Sequence, residues 1–409
     1  MNNEKTVRSA CYLTNISMAV VGNLPALLFL TFRNLYSVSY ALLGSLVLIN
    51  FCTQLIVDFI FSFFSHKINM QKAVKITPVL TVVGLIIYGV YPLIFQSSGM
   101  VGIIIGTVIF SAGSGFAEVL ISPVIASLPS ENPERDMSKL HSIYAWGVVG
   151  VVLFSALFLY LFGSESWYFL PLIFTLIPIL ATIFFAKSTL PKMQTPEKAS
   201  GVIELLKTPA VWFFFFAMFF GGASEVTMAQ WSSSYIEQAL KIPKVIGDIF
   251  GVALFSVMLG LGRTLYAKYG KNIEKVLFIS AIGASICYLT AVCSNSFVGL
   301  IACGLTGICV AMMWPGTLVA SSSRIPQGGV FVYAMMAAGG DFGASVGPQL
   351  VGLVTDIVKD SSFGEMMVQN GFQIEQLSMR IGLLVGAIFP IIAIIMYSVL
   401  IKNKNGKKL

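Results

Sequence analysis

The feature that most constrains the fold is a series of long apolar stretches along almost the whole chain. A helix needs roughly 20 apolar residues to cross the hydrocarbon core of a bilayer, and every stretch reaches that length. The pattern therefore predicts an all-α integral membrane protein with twelve transmembrane helices, here called spans one to twelve. They occupy residues 10–32, 38–64, 73–95, 100–128, 138–162, 167–186, 209–238, 243–267, 274–293, 297–323, 327–357 and 376–401.

Composition excludes several other classes of protein. Hydrophobic residues make up 56% of the 409 residues and charged residues 11%, which leaves little chain for a soluble domain. The net charge of +7 is spread over loops and tails, so we expect no nucleic-acid partner. No nucleotide-binding loop, metal-ligand spacing or nucleophile motif is present, so we expect no enzyme, metal site or cofactor. The six cysteines lie in apolar stretches and are expected to be free thiols.

The spans are arranged as six, a polar linker and six. This layout predicts an N-terminal bundle at residues 1–186, a cytoplasmic linker at 187–208 and a C-terminal bundle at 209–409. Such a layout indicates two pseudo-symmetric halves, as in many transporters. Three residues support a repeat because they recur at an offset of 192: Gly115 as Gly307, Pro123 as Pro315 and Gly147 as Gly339.

The distribution of Lys and Arg predicts the orientation in the membrane. Cytoplasmic loops carry an excess of these residues, and a cytoplasmic N-terminus places nineteen of the 25 inside. We therefore expect a multi-pass protein of the cell membrane with both termini in the cytoplasm. Span one is long enough to cross and lacks a convincing cleavage site, so we expect it to remain as a transmembrane helix.

Three acidic residues lie inside predicted spans, where an ionisable group costs at least about 2.5 kcal/mol and therefore faces a cavity or a partner. Glu118, Glu225 and Asp341 are each predicted near mid-depth, in spans four, seven and eleven. In transporters built from repeats, solute and ion sites lie near the midplane. The acids therefore predict one shared site for solute binding and proton coupling. For each acid, the alternative is a buried hydrogen bond to another helix.

The neighbours of Glu225 indicate what such a site binds. Gln230 and Trp231 follow it, and carboxylates, amides and an aromatic platform suit the hydroxyls and C–H faces of sugars. Trp231 is equally well interpreted as a member of the aromatic belt at the membrane surface, and we expect Tyr235 to belong to that belt.

Three further residues are candidates with open alternatives. Asp58 and Arg263 lie nearer the cytoplasmic ends of spans two and eight, where charge pairs close gates and exchange partners on opening. The alternative is that their side chains extend to the membrane surface. His141 opens span five and is either a proton carrier or a residue that caps the helix.

Twelve spans in two halves joined by a charged loop resemble the major facilitator superfamily. Within it, the string GxGxxExxxxP, from Gly113 through Glu118 to Pro123, is similar to the span-four signature of the fucose-galactose-glucose:proton symporter family. In that family the glutamate binds sugar and protons. The resemblance implies a secondary active transporter, a monomer in the lipid bilayer, that takes up a sugar or related small polar solute with protons.

Residues of spans one, five and seven extend the resemblance. The stretch 140–147, which contains His141 and Tyr144, and the stretch 222–231 are similar to relatives of that family. Two features depart from it. The fucose branch has an aspartate in span one, whereas this span offers only Asn15, Asn23 and Pro25, so a two-acid proton relay is not expected. The loop signature GxxxDRxGRR is degraded at residues 61–67.

Two alternative functions stay open. A proton-coupled exporter of drugs or lipids would use a large apolar cavity, which the 32 Phe and 17 Met residues are numerous enough to line. A facilitator of another small organic solute would need no coupling acid.

Overall fold

The computed structural model describes residues 3–37, 40–64, 67–193 and 199–402, which form helices and loops with no β-strand among them. The first part contains α1 (Asn3–Leu27), α2 (Phe29–Tyr36), α3 (Tyr40–Phe64), α4 (Met70–Ile94), α5 (Gly99–Ala126), α6 (Pro133–Phe162), α7 (Phe169–Phe174), α8 (Leu176–Ala186) and α9 (Ala199–Leu206). The second part contains α10 (Pro209–Gln238), α11 (Lys244–Gly247), α12 (Leu254–Tyr269), α13 (Ile273–Cys293), α14 (Ser296–Val310), α15 (Met313–Arg324), α16 (Val330–Lys359), α17 (Ser362–Gln369), α18 (Ile374–Gly386) and α19 (Ile388–Lys402). The all-α prediction is confirmed.

Some predictions fall wholly or partly outside the described residues. These are both chain ends, residues 194–198 of the predicted linker, and residues 65 and 66 of the degraded loop signature. The described remainder of the linker includes the helix α9, which the polar composition of this segment did not predict.

Five predicted spans are interrupted helices. Span one consists of α1 and α2, with the break at Leu28. Span eight consists of α11, a π-helical turn at Asp248–Ala253 and α12. In spans six, ten and twelve the helix breaks at, or directly after, the residue four positions before a proline. Because proline has no N–H, the carbonyl four residues earlier loses its helical partner and the helix weakens there. The three pairs are Phe174 with Pro178, Ala311 with Pro315, and Gly386 with Pro390.

Eleven helical segments among the described residues are long and apolar enough to cross a membrane. They correspond to spans one to ten and span twelve. Span eleven is α16, which is not among the eleven but at 30 residues has the length to cross.

The chain divides into two compact units. The first comprises residues 1–211 and 321–338, and the second comprises residues 212–320 and 339–409. The core of the first unit contains a buried aromatic cluster in which the rings of Phe32 and Trp167 meet edge to face at 4.8 Å. In the second unit, Phe214, Tyr288 and Tyr397 are among the largest fully buried side chains.

The predicted repeat is visible in how span four packs on span two and span ten on span eight. In the first unit, a Cβ added to Gly115 of α5 would lie 3.0 Å from Cβ of Val57 in α3. In the second unit, a Cβ added to Gly307 of α14 would overlap the carbonyl oxygen of Phe255, at the start of span eight's last helix, α12. Each glycine therefore allows two helices to approach closely.

The second pair of repeated glycines also has matching roles. A Cβ on Gly147 of α6 would lie 3.2 Å from Cβ of Ala19 in α1, and a Cβ on Gly339 of α16 would lie 2.5 Å from the carbonyl oxygen of Phe215 in α10. Span five thus packs on span one as span eleven packs on span seven. The expectation of two pseudo-symmetric halves is confirmed.

Candidate functional site

The strongest polar contact inside the second unit joins Glu225 of α10 to Arg263 of α12. Nη2 of Arg263 donates to Oε1 of Glu225 at 2.9 Å and to Oε2 at 3.1 Å. The two residues are only 8% and 2% exposed. Each charge is therefore neutralised by the other, as burial within a membrane-spanning helix requires. The sequence predicted separate roles for these residues, whereas the structure makes them partners. The alternative that Arg263 extends to the membrane surface is wrong.

Arg263 makes a further contact at the interruption of span ten. Its Nε donates to the carbonyl oxygen of Ala311 at 2.9 Å. That oxygen would accept from residue 315 in a continuous helix, but Pro315 has no N–H to give. Arg263 therefore supplies the donor that the proline removes, and it links α10, α12 and the break before α15.

Asp341 lies where α16 packs backbone to backbone against α10. A Cβ on Gly222 would lie 2.6 Å from the carbonyl oxygen of Gly340, the residue before Asp341. Asp341 is 1% exposed. Because Gly222 precedes Glu225 by less than one helical turn, the structure brings the Asp341 segment beside the Glu225 segment within the second unit.

The aromatic platform candidate Trp231 also contacts α16. Its indole N–H donates to the carbonyl oxygen of Pro348 at 2.9 Å, and its ring would lie 3.1 Å from a Cβ on Gly352. Trp231 and its neighbour Gln230 are both half-buried. The indole is thus fixed in orientation, with part of its surface accessible.

Tyr235 does not belong to a belt at the membrane surface. The side chain is 0% exposed, and its hydroxyl donates to the carbonyl oxygen of Ala291 in α13 at 2.8 Å. The belt prediction depended on a position near the end of span seven. It failed because the side chain faces α13 inside the protein instead of lipid, which the position along the span does not decide.

Three candidates of the first unit lie on α1 and α6, which pack together. The hydroxyl of Tyr144 would lie 3.5 Å from a Cβ on Gly22, the residue before Asn23. His141 lies one turn before Tyr144 on α6. All three predicted residues, Asn23, His141 and Tyr144, are half-buried. The structure therefore gathers Asn23 and Tyr144 at one level of the α1–α6 contact.

Glu118 of α5 and Asp58 of α3 lie on two helices that pack side by side. Glu118 is half-buried, whereas Asp58 is 0% exposed. The charged group that acts on Asp58 is Glu118. No cationic partner for Asp58 is present in the described part of the chain, so the charge-pair gate predicted for Asp58 is not formed in this structure.

Sequence reasoning missed the polar residues that accompany Asp58 on α3. They recur every four residues and are all buried, at 3%, 5%, 0% and 0% exposure: Asn50, Gln54, Asp58 and Ser62. We call this set the α3 stripe. The signal was present in the sequence, because residues four apart share one face of a helix. A polar face on an otherwise apolar span indicates a helix that contacts other helices there instead of lipid.

Within the described ranges, no group of three or more His, Cys, Asp or Glu side chains is placed to hold a metal ion. Half-buried polar side chains inside membrane-spanning helices cannot face hydrocarbon cheaply. They are therefore accommodated by hydrogen bonds within the protein, by a water-accessible cavity or by a bound polar solute.

The comparison with known protein families decides what kind of protein this is. The model of the Major Facilitator Superfamily matches residues 10–348. The chain belongs to the major facilitator superfamily. Its members are membrane transporters, so the superfamily, the twelve-span fold and membrane transport are established together. No curated protein sequence matches the chain.

Solved structures of superfamily members share this fold. The E. coli fucose:proton symporter FucP superimposes with a TM-score of 0.73 at 15% identity, covering 98% of this chain and 99% of FucP. The proton:xylose symporter XylE, bound to 6-bromo-6-deoxy-D-glucose, superimposes with a TM-score of 0.71 at 13% identity, covering 98% of this chain and 96% of XylE. At these identities the likeness concerns the fold.

Proposed function

We propose that this superfamily member is a secondary active transporter that takes up a sugar or a related small polar solute together with protons. The solute site opens alternately to each side of the membrane, and a carboxyl group binds and releases the coupled proton. This is the function that the polar side chains inside the two units support best.

The observation that carries the proposal is the half-buried state of Glu118 inside a membrane-spanning helix. Glu118 lies eight residues before the end of α5, about 12 Å along the helix axis, well inside the span. A partly accessible carboxyl at that depth is costly against lipid. It is accommodated when it faces water or a polar solute, and both are needed for proton exchange during transport.

Other half-buried groups supply what a sugar requires. Asn23 and Tyr144 offer amide and hydroxyl groups in the first unit, and Gln230 and Trp231 offer an amide and an oriented indole in the second. Amide and hydroxyl groups of this kind bind the hydroxyls of a sugar, and an indole of this kind packs on a C–H face, so each unit by itself carries groups suited to a sugar. The proton symporters FucP and XylE, which share the fold, are named for fucose and xylose.

The roles within the second unit differ between its two acids. Glu225 is already neutralised by Arg263, so it serves to orient the arginine and to change partner during the transport cycle. Asp341 is buried in the α10–α16 contact and serves as a solute ligand or as a second coupling acid. Neither role requires an enzyme or a cofactor.

The test is proton movement into proteoliposomes that contain a pH-sensitive dye. Wild type, Glu118→Gln and Glu131→Gln are challenged in turn with fucose, xylose, glucose and other polar solutes. Glu131 is an exposed acid in the loop between α5 and α6, so its variant is the matched control. We expect one solute to drive proton uptake in wild type and Glu131→Gln, and the signal to vanish in Glu118→Gln.

Two results would contradict the proposal. If labelled solute equilibrates without proton movement in wild type, the protein is a facilitator. If no polar solute moves while apolar dyes are expelled, the protein is an exporter of apolar compounds.

A further inference from the structure

A buried acid without a hydrogen-bond partner lies inside a membrane-spanning helix of the first unit. Asp58 is 0% exposed, and within the described ranges neither of its carboxylate oxygens has a hydrogen-bond partner. An ionised carboxylate in such surroundings costs several kcal/mol, and nothing here compensates that cost. Asp58 is therefore stable in this conformation only when it carries a proton or a bound cation.

The packing of α3 on α5 places Asp58 level with Glu118. The hydroxyl of Ser111 donates to Oδ1 of Asn50 at 2.6 Å, and a Cβ on Gly115 would lie 3.1 Å from Cα of Gln54. Both contacts join residues 61 positions apart in sequence, so the two helices run parallel with a constant register. The same offset places Asp58 beside residue 119, one position after Glu118.

An aromatic contact also joins the same two helices. The rings of Phe61 and Phe116 meet edge to face with their centroids 5.0 Å apart. These rings flank the acids, because each lies within one turn of Asp58 or Glu118 on its own helix. The helix contact next to the acids is therefore apolar.

Among the described residues, one charged side chain acts on Asp58. Helices α1, α2, α5 and α9 pack against α3. Of the charged side chains described on them, only Glu118 of α5 acts on Asp58. Two carboxylates this close in a poorly hydrated setting do not ionise together, because each charge repels the other.

We propose that Asp58 and Glu118 form one proton-binding site, in which the two carboxyl groups titrate as a coupled pair and the charge on one disfavours ionisation of the other. Proton binding by the pair stands on the packing of α3 and α5 alone. Only its use in driving solute uptake rests on the function proposed above. The site gives Asp58 a role in proton binding in place of the predicted gate.

The two members differ in access, which suits a proton relay. Glu118 is half-buried and exchanges protons with water or solute, whereas Asp58 is fully enclosed and keeps a proton away from bulk water. Ser62 lies one turn further along α3, and among the described residues its buried hydroxyl has no partner. This hydroxyl is the next polar group of the α3 stripe on the way to the α3–α4 loop.

The test is infrared spectroscopy of the full-length purified protein, titrated with acid and base in the absence of any solute. Protonated carboxyl groups have a stretching band distinct from that of carboxylates. We expect a band from a buried protonated acid that is lost in Asp58→Asn. We also expect the pH midpoint of the Asp58 band to shift in Glu118→Gln, because the neighbouring charge is gone, and to stay in place in Glu131→Gln.

Three outcomes would overturn the pair. One is an Asp58 band whose midpoint is the same in wild type and Glu118→Gln. Another is the absence of any band that depends on Asp58, which would be seen as a band that is unchanged in Asp58→Asn. If Asp58→Asn does not fold, Asp58→Glu replaces it, and the contradicting result is a band at the same position as in wild type. The third is displacement of the band by Na⁺ at constant pH, which would make this a sodium site.

Proteoliposome measurements separate this inference from the proposed function. In Asp58→Asn we expect solute-driven proton uptake to be lost while exchange of labelled for unlabelled solute continues. If the infrared bands show coupled carboxyl groups but no solute drives proton movement, the Asp58–Glu118 pair is supported and symport is refuted. If solute-driven proton uptake persists in Asp58→Asn, the proposed symport is supported and the role of the pair in coupling is refuted.

Discussion

Arg263 and Glu225 lie on different helices of the second unit, and one guanidinium nitrogen contacts both carboxylate oxygens, at 2.9 and 3.1 Å. The contact is almost fully enclosed. A buried ion pair contributes little net stability, but removal of one partner leaves an uncompensated charge. The pair therefore acts as a constraint that ties α10 to α12 in this conformation.

We predict that Glu225→Gln and Arg263→Met each destabilise the protein by about 3–5 kcal/mol, the cost of an unpaired buried charge. The double variant is expected to lose much less than the sum, because no charge is then left alone. Melting temperatures of the purified variants test this.

The matched control is Glu375→Gln, because Glu375 and Lys359 form a pair at 3.9 Å with both side chains about half exposed. Removal of that pair should cost at most about 1 kcal/mol. Additive losses in the double variant would contradict the prediction.

A second prediction concerns the donor that Arg263 provides to Ala311. Pro315→Ala restores a backbone N–H that can bond to Ala311, so the carbonyl no longer depends on Arg263. We expect Arg263→Lys to destabilise wild type more than it destabilises Pro315→Ala, with a coupling of about 0.5–3 kcal/mol in a double-mutant cycle. The cycle is measured by melting temperature.

Pro390→Ala is the control for that cycle. Pro390 follows the interruption of span twelve, as Pro315 follows the interruption of span ten. Its replacement changes a helix break in the same unit without touching Ala311. The effects of Pro390→Ala and Arg263→Lys should therefore add. A coupling of similar size in both cycles would mean that replacing any helix-breaking proline changes the effect of Arg263→Lys, and that the contact with Ala311 is not the cause.

The apolar pattern was sufficient to predict the number of spans. The recurring Gly and Pro positions were sufficient to predict the repeat, because both features can be found in one sequence. The hydrocarbon thickness alone sets the length of a span. Gly115 and Gly307 were found as repeated letters, and their equivalent packing follows from the absence of a side chain. The interruptions before Pro178, Pro315 and Pro390 were also accessible from sequence, since the missing N–H predicts them.

Partners across helices could not be predicted in the same way. Glu225 and Arg263 are 38 residues apart, and Asp58 and Glu118 are 60 apart. Which acid meets which base depends on helix rotation and register, and a single sequence gives neither. Arg263 and Asp58 therefore have the same predicted role as gate residues, whereas in the structure Arg263 is paired with an acid and Asp58 has no cationic partner among the described residues.

A third prediction tests the close approach of helices at the repeated glycines. Gly307→Ala would place a methyl group onto the carbonyl oxygen of Phe255, so α12 and α14 must separate. We expect a loss of about 1–3 kcal/mol, typical of overpacking. Gly150→Ala is the control, because a Cβ there meets nothing within 4 Å and α6 gains helix propensity. Its melting temperature should be unchanged or higher. Equal losses in both variants would show that the contact at Gly307 is not tight.

The last prediction concerns the orientation of the chain in the membrane. With the N-terminus in the cytoplasm, the turn between α6 and α7 faces outside and the turn between α12 and α13 faces inside. Single cysteines at Ser164→Cys and Lys271→Cys place a thiol in each of these exposed turns. The background is Cys293→Ser, which removes the exposed native thiol. In intact cells, a membrane-impermeant maleimide should label the cysteine at position 164 and leave that at 271 unlabelled, and inside-out vesicles should give the reverse. Labelling of position 271 in intact cells would invert the topology and place the α3–α4 loop, next to Ser62 and Asp58, on the outer side.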